Sequence, residues 1–145
     1  MILCDVNVLL YAFRRDAQRH QEFRGWLLER LSAAESYGVS DLVLSAVIRI
    51  ATHPRIFAQP SSLEEAIAFT AAVRDRPNAV SIAPGPRHWE IFIDLCRASA
   101  ARGNIVPDAY LAALALESGS EWQTTDWDYS RFPGLRWRHP LETGS

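Results

Sequence analysis

The chain has 145 residues, 48% apolar and 22% charged, which suits one globular domain that buries its own core without staples. A formal net charge of −2 excludes a global basic field for nucleic acid, and two cysteines in apolar settings exclude a disulfide framework or a thiolate metal site. All 15 basic residues are Arg, so every mechanism that needs a lysine is excluded too.

In chain order, residues 2–5 read as a first strand, apolar until Asp5 closes it, as buried parallel strands are. A helix over 7–13 follows at once, with Asp5 or Asn7 near its cap. Phe23, Trp26, Leu27 and Leu31 recur at helical spacing within 20–34, and residues 37–40 form a second strand. Residues 41–51 are helical with Leu42, Val43, Val47 and Ile50 on the buried side, and Thr52-His53-Pro54 ends that helix. Ser61 or Ser62 caps a helix reaching about Asp75, residues 79–83 make a third strand, and 87–101 another helix. A helix over 108–118 ends at Gly119, a fourth strand covers 121–125, and a short edge strand covers 135–138. The order βααβααβααββ implies an α/β domain over residues 1–140, with a mostly parallel central sheet and helices on both faces. Residues 141–145 read as a loose tail. The N-terminus carries no leader pattern, and no apolar run approaches the ~20 residues of a membrane span, so a soluble cytoplasmic protein is expected.

The acids carry the chemistry. Asp5 closes the first strand, Asp108 opens an apolar helix, and Asp126 and Asp128 follow the fourth strand. One such Asp is ordinarily a cap or a turn residue. Several in an alternating α/β pattern mean more, because parallel strands bring their C-terminal ends to one edge of the sheet. Carboxylates gathered there repel by roughly 4 kcal/mol per pair at an effective dielectric near 20, and a proton or a divalent cation must relieve that. At neutral pH the simpler reading is Mg²⁺ or Mn²⁺ on oxygen ligands. The four histidines show no zinc spacing. Arg14 and Arg15 follow the first helix, as phosphate contacts or as a solvated helix end. Trp127 and Tyr129 are either base-stacking rings or core.

Asp5-Val6-Asn7-Val8-Leu9, Pro107-Asp108-Ala109-Tyr110-Leu111 and Thr124-Thr125-Asp126-Trp127-Asp128-Tyr129, in that order, resemble the PIN-domain ribonucleases. Within them they resemble the VapC toxins of bacterial toxin–antitoxin pairs. Thr52-His53-Pro54-Arg55-Ile56-Phe57 and Pro84-Gly85-Pro86-Arg87-His88-Trp89 are similar to runs of a mycobacterial-type branch. The resemblance implies a three-layer α/β/α fold and a Mg²⁺-dependent endoribonuclease, with Mn²⁺ a possible substitute. Asp5, Asp108 and Asp126 would be the catalytic metal ligands, Asp126 directly or through a water. Asn7 and Thr124 would orient them, and Asp128 reads more as a surface or structural acid. The resemblance also implies an RNA substrate, a small VapB-like antitoxin and a homodimer. One departure stands out: the family usually carries a Glu on the helix after the second strand, where this chain has Ala46.

Two other acid-rich α/β families fail on the residues. Phosphatases of the haloacid dehalogenase type want an Asp two residues after the nucleophile, where Asn7 stands. They and the receiver domains of two-component systems rely on an active-site Lys. A catalytically inactive PIN module that binds RNA or antitoxin survives as the alternative, and metal-dependent turnover of RNA separates it from the enzyme.

Overall fold

Strand β1 (Ile2–Cys4) lies at the centre of a five-stranded sheet in the computed structural model, which describes residues 1–142. It pairs with β2 (Tyr37–Val39) on one side and β4 (Glu121–Gln123) on the other. Beyond these lie β3 (Ala79–Ser81) and β5 (Trp137–Arg138), giving the order β3-β2-β1-β4-β5 with every pair parallel. A parallel strand needs a crossover back to its start; six helices supply those from β1 to β4, and a segment with a short 3-10 helix leads from β4 to β5. The six helices are α1 (Val6–Phe13), α2 (His20–Ser32), α3 (Asp41–Ala51), α4 (Leu63–Arg74), α5 (His88–Ala98) and α6 (Ile105–Ser118). α1 packs on α2 and α3, α3 packs on α4, and α5 packs on α6, which gives the three-layer α/β/α arrangement.

Local chemistry explains the helix ends. Ser40 accepts from the Val43 amide to start α3. Ser62 accepts from the Glu65 amide at 3.1 Å while donating to the Glu65 carboxylate at 3.0 Å, a reciprocal cap for α4. Gly119 ends α6 at φ 68°, a left-handed position that costs glycine nothing. α6 begins three residues before the expected start at Asp108. Pro107 sits inside its first turn, where the missing N–H would have had no helical partner anyway. Leu42, expected on the buried face of α3, is 51% exposed. The face turned inward runs through Val43, Leu44, Val47 and Ala51. Leu141 is half-buried against the core, and residues 143–145 of the expected tail lie outside the described residues. No helix among the described residues is long and apolar enough to cross a membrane.

The central strands approach closely enough to exclude a methyl group. A Cβ on Gly38 would lie 2.9 Å from Ile82 Cγ1 and 3.3 Å from the Ile2 carbonyl oxygen, on a strand paired with β1. The backbone oxygen cannot swing away. Gly38→Ala is therefore expected to cost about 1–3 kcal/mol through overpacking. A denaturant midpoint equal to that of the parent protein would show that β2 can move without penalty.

Candidate metal and active site

Two neighbouring parallel strands end side by side, and each delivers an acid. Asp5 follows β1, and its amide donates to the Gln123 carbonyl of β4 at 2.8 Å, so the two strand ends are tied together. Asp5 is only 6% exposed. Its Oδ1 accepts from the Val6 amide at 2.7 Å, which caps α1, and its Oδ2 accepts from the Thr124 hydroxyl at 2.7 Å. The same Thr124 oxygen accepts from the Asp126 amide at 3.0 Å. One fully buried hydroxyl thus fixes both acids at the ends of β1 and β4.

Asp126 begins a 3-10 helix over Trp127–Arg131, its Oδ1 accepting from the Asp128 amide at 2.9 Å. Asp108 arrives from the first turn of α6 and accepts through Oδ1 from the Tyr129 hydroxyl at 3.2 Å. Asn7 Oδ1 accepts a long bond, 3.5 Å, from the Thr125 amide and ties α1 to the segment after β4. Asp128 points into water and lies 3.6 Å from Arg131, a surface ion pair.

Electrostatics mark Asp5 as the strained member. Burial pushes its carboxyl from 3.8 up to about 6; the Thr124 and Val6 bonds oppose this, and the charges of Asp108 and Asp126 reinforce it. Asp108 is also raised, by burial first, with Tyr129 and Arg131 opposing and Asp126 and Asp128 adding. Burial and the same acids push the Tyr129 phenol up, so it stays a donor. Cys4, half-buried beside Asp5, is pushed up to about 12, by desolvation first and by the Asp5 charge, and is no nucleophile.

The three acids therefore share one field, yet among the described residues no three His, Cys, Asp or Glu side chains close into a ready cage for an ion. Both facts hold together, because like charges sense each other farther than the ligand shell of a single ion extends. An all-oxygen set that is open rather than closed suits Mg²⁺, which keeps several waters and uses one or two carboxylates with substrate phosphate. Asp5 and Asp108 could hold such an ion directly and Asp126 through a water. Each retains capacity: among the described residues Oδ2 of Asp108 and of Asp126 carry no hydrogen bond, and each Asp5 oxygen carries one.

The basic candidates part company. Arg14 is almost buried, forks onto Asp16 at 2.6 and 3.0 Å, donates to the Gln59 carbonyl and Ser61, and lies 3.8 Å above the Phe57 ring. Its guanidinium makes four hydrogen bonds, to Asp16 and to the segment before α4, which leaves one N–H for any phosphate. Arg15 is exposed and lines a concavity of about 690 Å³ between α1, α2 and α4. That groove, with Arg24, Arg76, Leu28 and Phe69 on its walls, does not include the acids. Ala46 is partly exposed on α3, so a longer polar side chain there has an outlet to solvent. Of the two sequence readings of Tyr129, stacking ring or core, the core one holds; its hydroxyl bond to Asp108 had no signal in the sequence.

The buried charge has a pH signature. Between 3.8 and about 6, folded Asp5 holds a proton that the unfolded chain has released, so this group lowers stability as pH rises through that window. Full ionisation costs about 3 kcal/mol. Asp5→Asn, in chelator, should therefore gain on the parent by about 2–3 kcal/mol in unfolding free energy between about pH 4 and pH 7. A gap that does not change with pH would mean that the Asp5 carboxylate is hydrated in the fold.

Comparisons with known proteins give the family. Residues 2–135 match the PIN domain family. The chain is 44% identical over 143 residues to ribonuclease VapC43 of Mycobacterium tuberculosis, covering 98% of this chain and 97% of that one. It is 39% identical over 140 residues to ribonuclease VapC25 of the same organism, covering 97% and 99%. Its fold matches a chain of the VapBC2 structure from Rickettsia felis, bound to a promoter DNA fragment, with a TM-score of 0.66 at 16% identity, covering 95% and 98%. With a family match over nearly its whole length, this chain belongs to the PIN-domain family, in its VapC branch.

Proposed function

We propose that this chain is a Mg²⁺-dependent endoribonuclease toxin, with Mn²⁺ able to substitute, restrained by a small VapB-like antitoxin. The observation that carries the reading is Asp5: a nearly buried carboxylate held at a shared strand edge, in the field of Asp108 and Asp126, at a cost the metal-free protein bears at neutral pH. The ribonuclease names of its relatives support RNA as substrate, and RNA implies a cytoplasmic site of action.

A bound Mg²⁺ would supply charge to the scissile phosphate and acidify an attacking water. Asp5 and Asp108 would hold it, with Thr124 and Tyr129 fixing one oxygen of each. Asp126 has Oδ1 committed to the Asp128 amide, which leaves Oδ2 to accept a proton from water as general base. The products follow from in-line hydrolysis, without a covalent enzyme intermediate. The groove between α1, α2 and α4, where Arg15, Arg24 and Arg76 stand beside Leu28 and Phe69, suits an acidic amphipathic segment, the chemistry expected of the antitoxin. A homodimer is part of the same reading.

One observation favours the inactive-module alternative: the open ligand set, with Ala46 where the family usually has Glu. Turnover decides. Asp5→Asn and Asp108→Asn are each expected to abolish RNA cleavage while melting as high as the parent or higher in chelator. Millimolar Mg²⁺ should raise the melting temperature of the parent, and Asp126→Asn should reduce that rise. No cleavage by the parent and no metal-dependent shift with Mg²⁺ or Mn²⁺ would select the binding module.

Ala46→Glu tests the missing acid. With an outlet to solvent the variant should fold, and a fourth carboxylate should tighten Mg²⁺ or Mn²⁺ binding in calorimetric titration. Weaker binding with a collapsed melting temperature would place position 46 away from the metal.

A further inference from the structure

We propose that Trp127 is the stacking platform for an unpaired RNA base next to the scissile phosphate, an inference that rests on the ribonuclease reading above. Trp89 at 65% and Trp127 at 61% are the most exposed large apolar side chains among the described residues. A solitary exposed aromatic is ordinary. Trp127 differs in where it stands and how it is held.

It lies between Asp126 and Asp128, on the 3-10 helix that the Asp126 side chain caps. The carboxylate that shares the field of Asp5 and Asp108 therefore also fixes the turn carrying the indole. Trp137, half-buried on β5, meets Trp127 in a T-shaped contact with centroids 4.9 Å apart and ring planes at 87°. A perpendicular contact covers one face of Trp127 at most and leaves another in water. It also sets the ring orientation before anything binds, which reduces the ordering cost of a stacked complex. Tyr129, the neighbouring ring in sequence, is unavailable: it is 2% exposed and packs on Trp122 and Phe132.

Every nucleobase has a π-face, so stacking tolerates any sequence but requires a base out of its helix. The substrate class that follows is single-stranded RNA, or a loop or bulge, rather than continuous duplex.

The test uses a pool of short random-sequence single-stranded RNAs labelled with fluorescein, and the same pool annealed to its complement. Binding is followed by anisotropy in chelator, and cleavage in Mg²⁺, for the full-length parent, Trp127→Ala, Trp127→Phe and Trp89→Ala. Trp127→Ala is expected to lose about 5-fold to 100-fold in single-strand affinity, the equivalent of one stacked base. Trp127→Phe should recover most of the loss, and Trp89→Ala should match the parent. Duplex affinity should be equal in all four. Equal single-strand affinity in Trp127→Ala and in a parent that cleaves RNA overturns the stacking role and leaves the ribonuclease reading intact. Equal losses at Trp89 and Trp127 overturn it as well. Unchanged RNA affinity with a weakened co-purified toxin–antitoxin complex assigns the indole to the protein partner instead. A parent that neither binds nor cleaves any RNA removes the ribonuclease reading, and this inference with it.

Discussion

The site hangs on one hydroxyl. Thr124 leaves the end of β4 fully buried, donates to Asp5 Oδ2 at 2.7 Å and accepts from the Asp126 amide at 3.0 Å. Asp5 is bound to β4 a second time through its own amide. These contacts need β1 and β4 to be adjacent, parallel and in register, with Cys4 opposite Gln123. A slip of one residue would turn every side chain on one strand to the other face of the sheet. Residues 119 positions apart would then lose their contact, and Asp5 would be left buried without its best donor. Correct pairing of the central strands and assembly of the acid site are therefore the same event.

Crowded acids destabilise a fold unless the surroundings answer them, and here several modest effects do. Asp108 stands in the first turn of α6, where the helix dipole favours negative charge. Tyr129 donates to it, and the Arg131 charge acts on it as well. Asp5 caps α1 and so meets the amide end of another helix. Asp128 is left to solvent and its surface pair, where a charge costs little. Only Asp5 combines deep burial with acidic neighbours, so the strain of the metal-free site is concentrated on a single carboxyl group.

Much of the fold was legible because its signals are local. Ser62 before two glutamates and Gly119 after Ser118 mark ends by chemistry that acts within four residues, whereas Ser40, read as the end of the second strand, caps α3. The acids at the strand ends were legible too, since parallel topology alone gathers them at one edge. What was hidden depends on partners far away in sequence. Arg14 reads as a free basic residue until residues 57–61 fold over it. Leu42 fits the apolar period of α3, but no element covers that side of the helix turn. Trp127 and Tyr129 are two residues apart and indistinguishable by type. A 3-10 turn sends one into water and the other against Trp122 and Asp108. Periodicity cannot separate them, because the element is too short to have a period.

On the proposed reading, an open ligand set changes how metal and RNA are related. A site with a further carboxylate would bind Mg²⁺ more tightly before substrate arrived and would bear more repulsion when empty. With Ala46 in place of that acid, repulsion in the free protein would be lower and an ion would be held by fewer protein oxygens. The scissile phosphate would then supply part of the ligand shell. Each ligand must raise the affinity for the other by the same factor, since coupling free energy is reciprocal. Trp127, braced by Trp137 before any ligand binds, would add base contact energy to the same coupled step. Weak metal binding in the free protein is thus compatible with an active enzyme, because the state that matters is the ternary one.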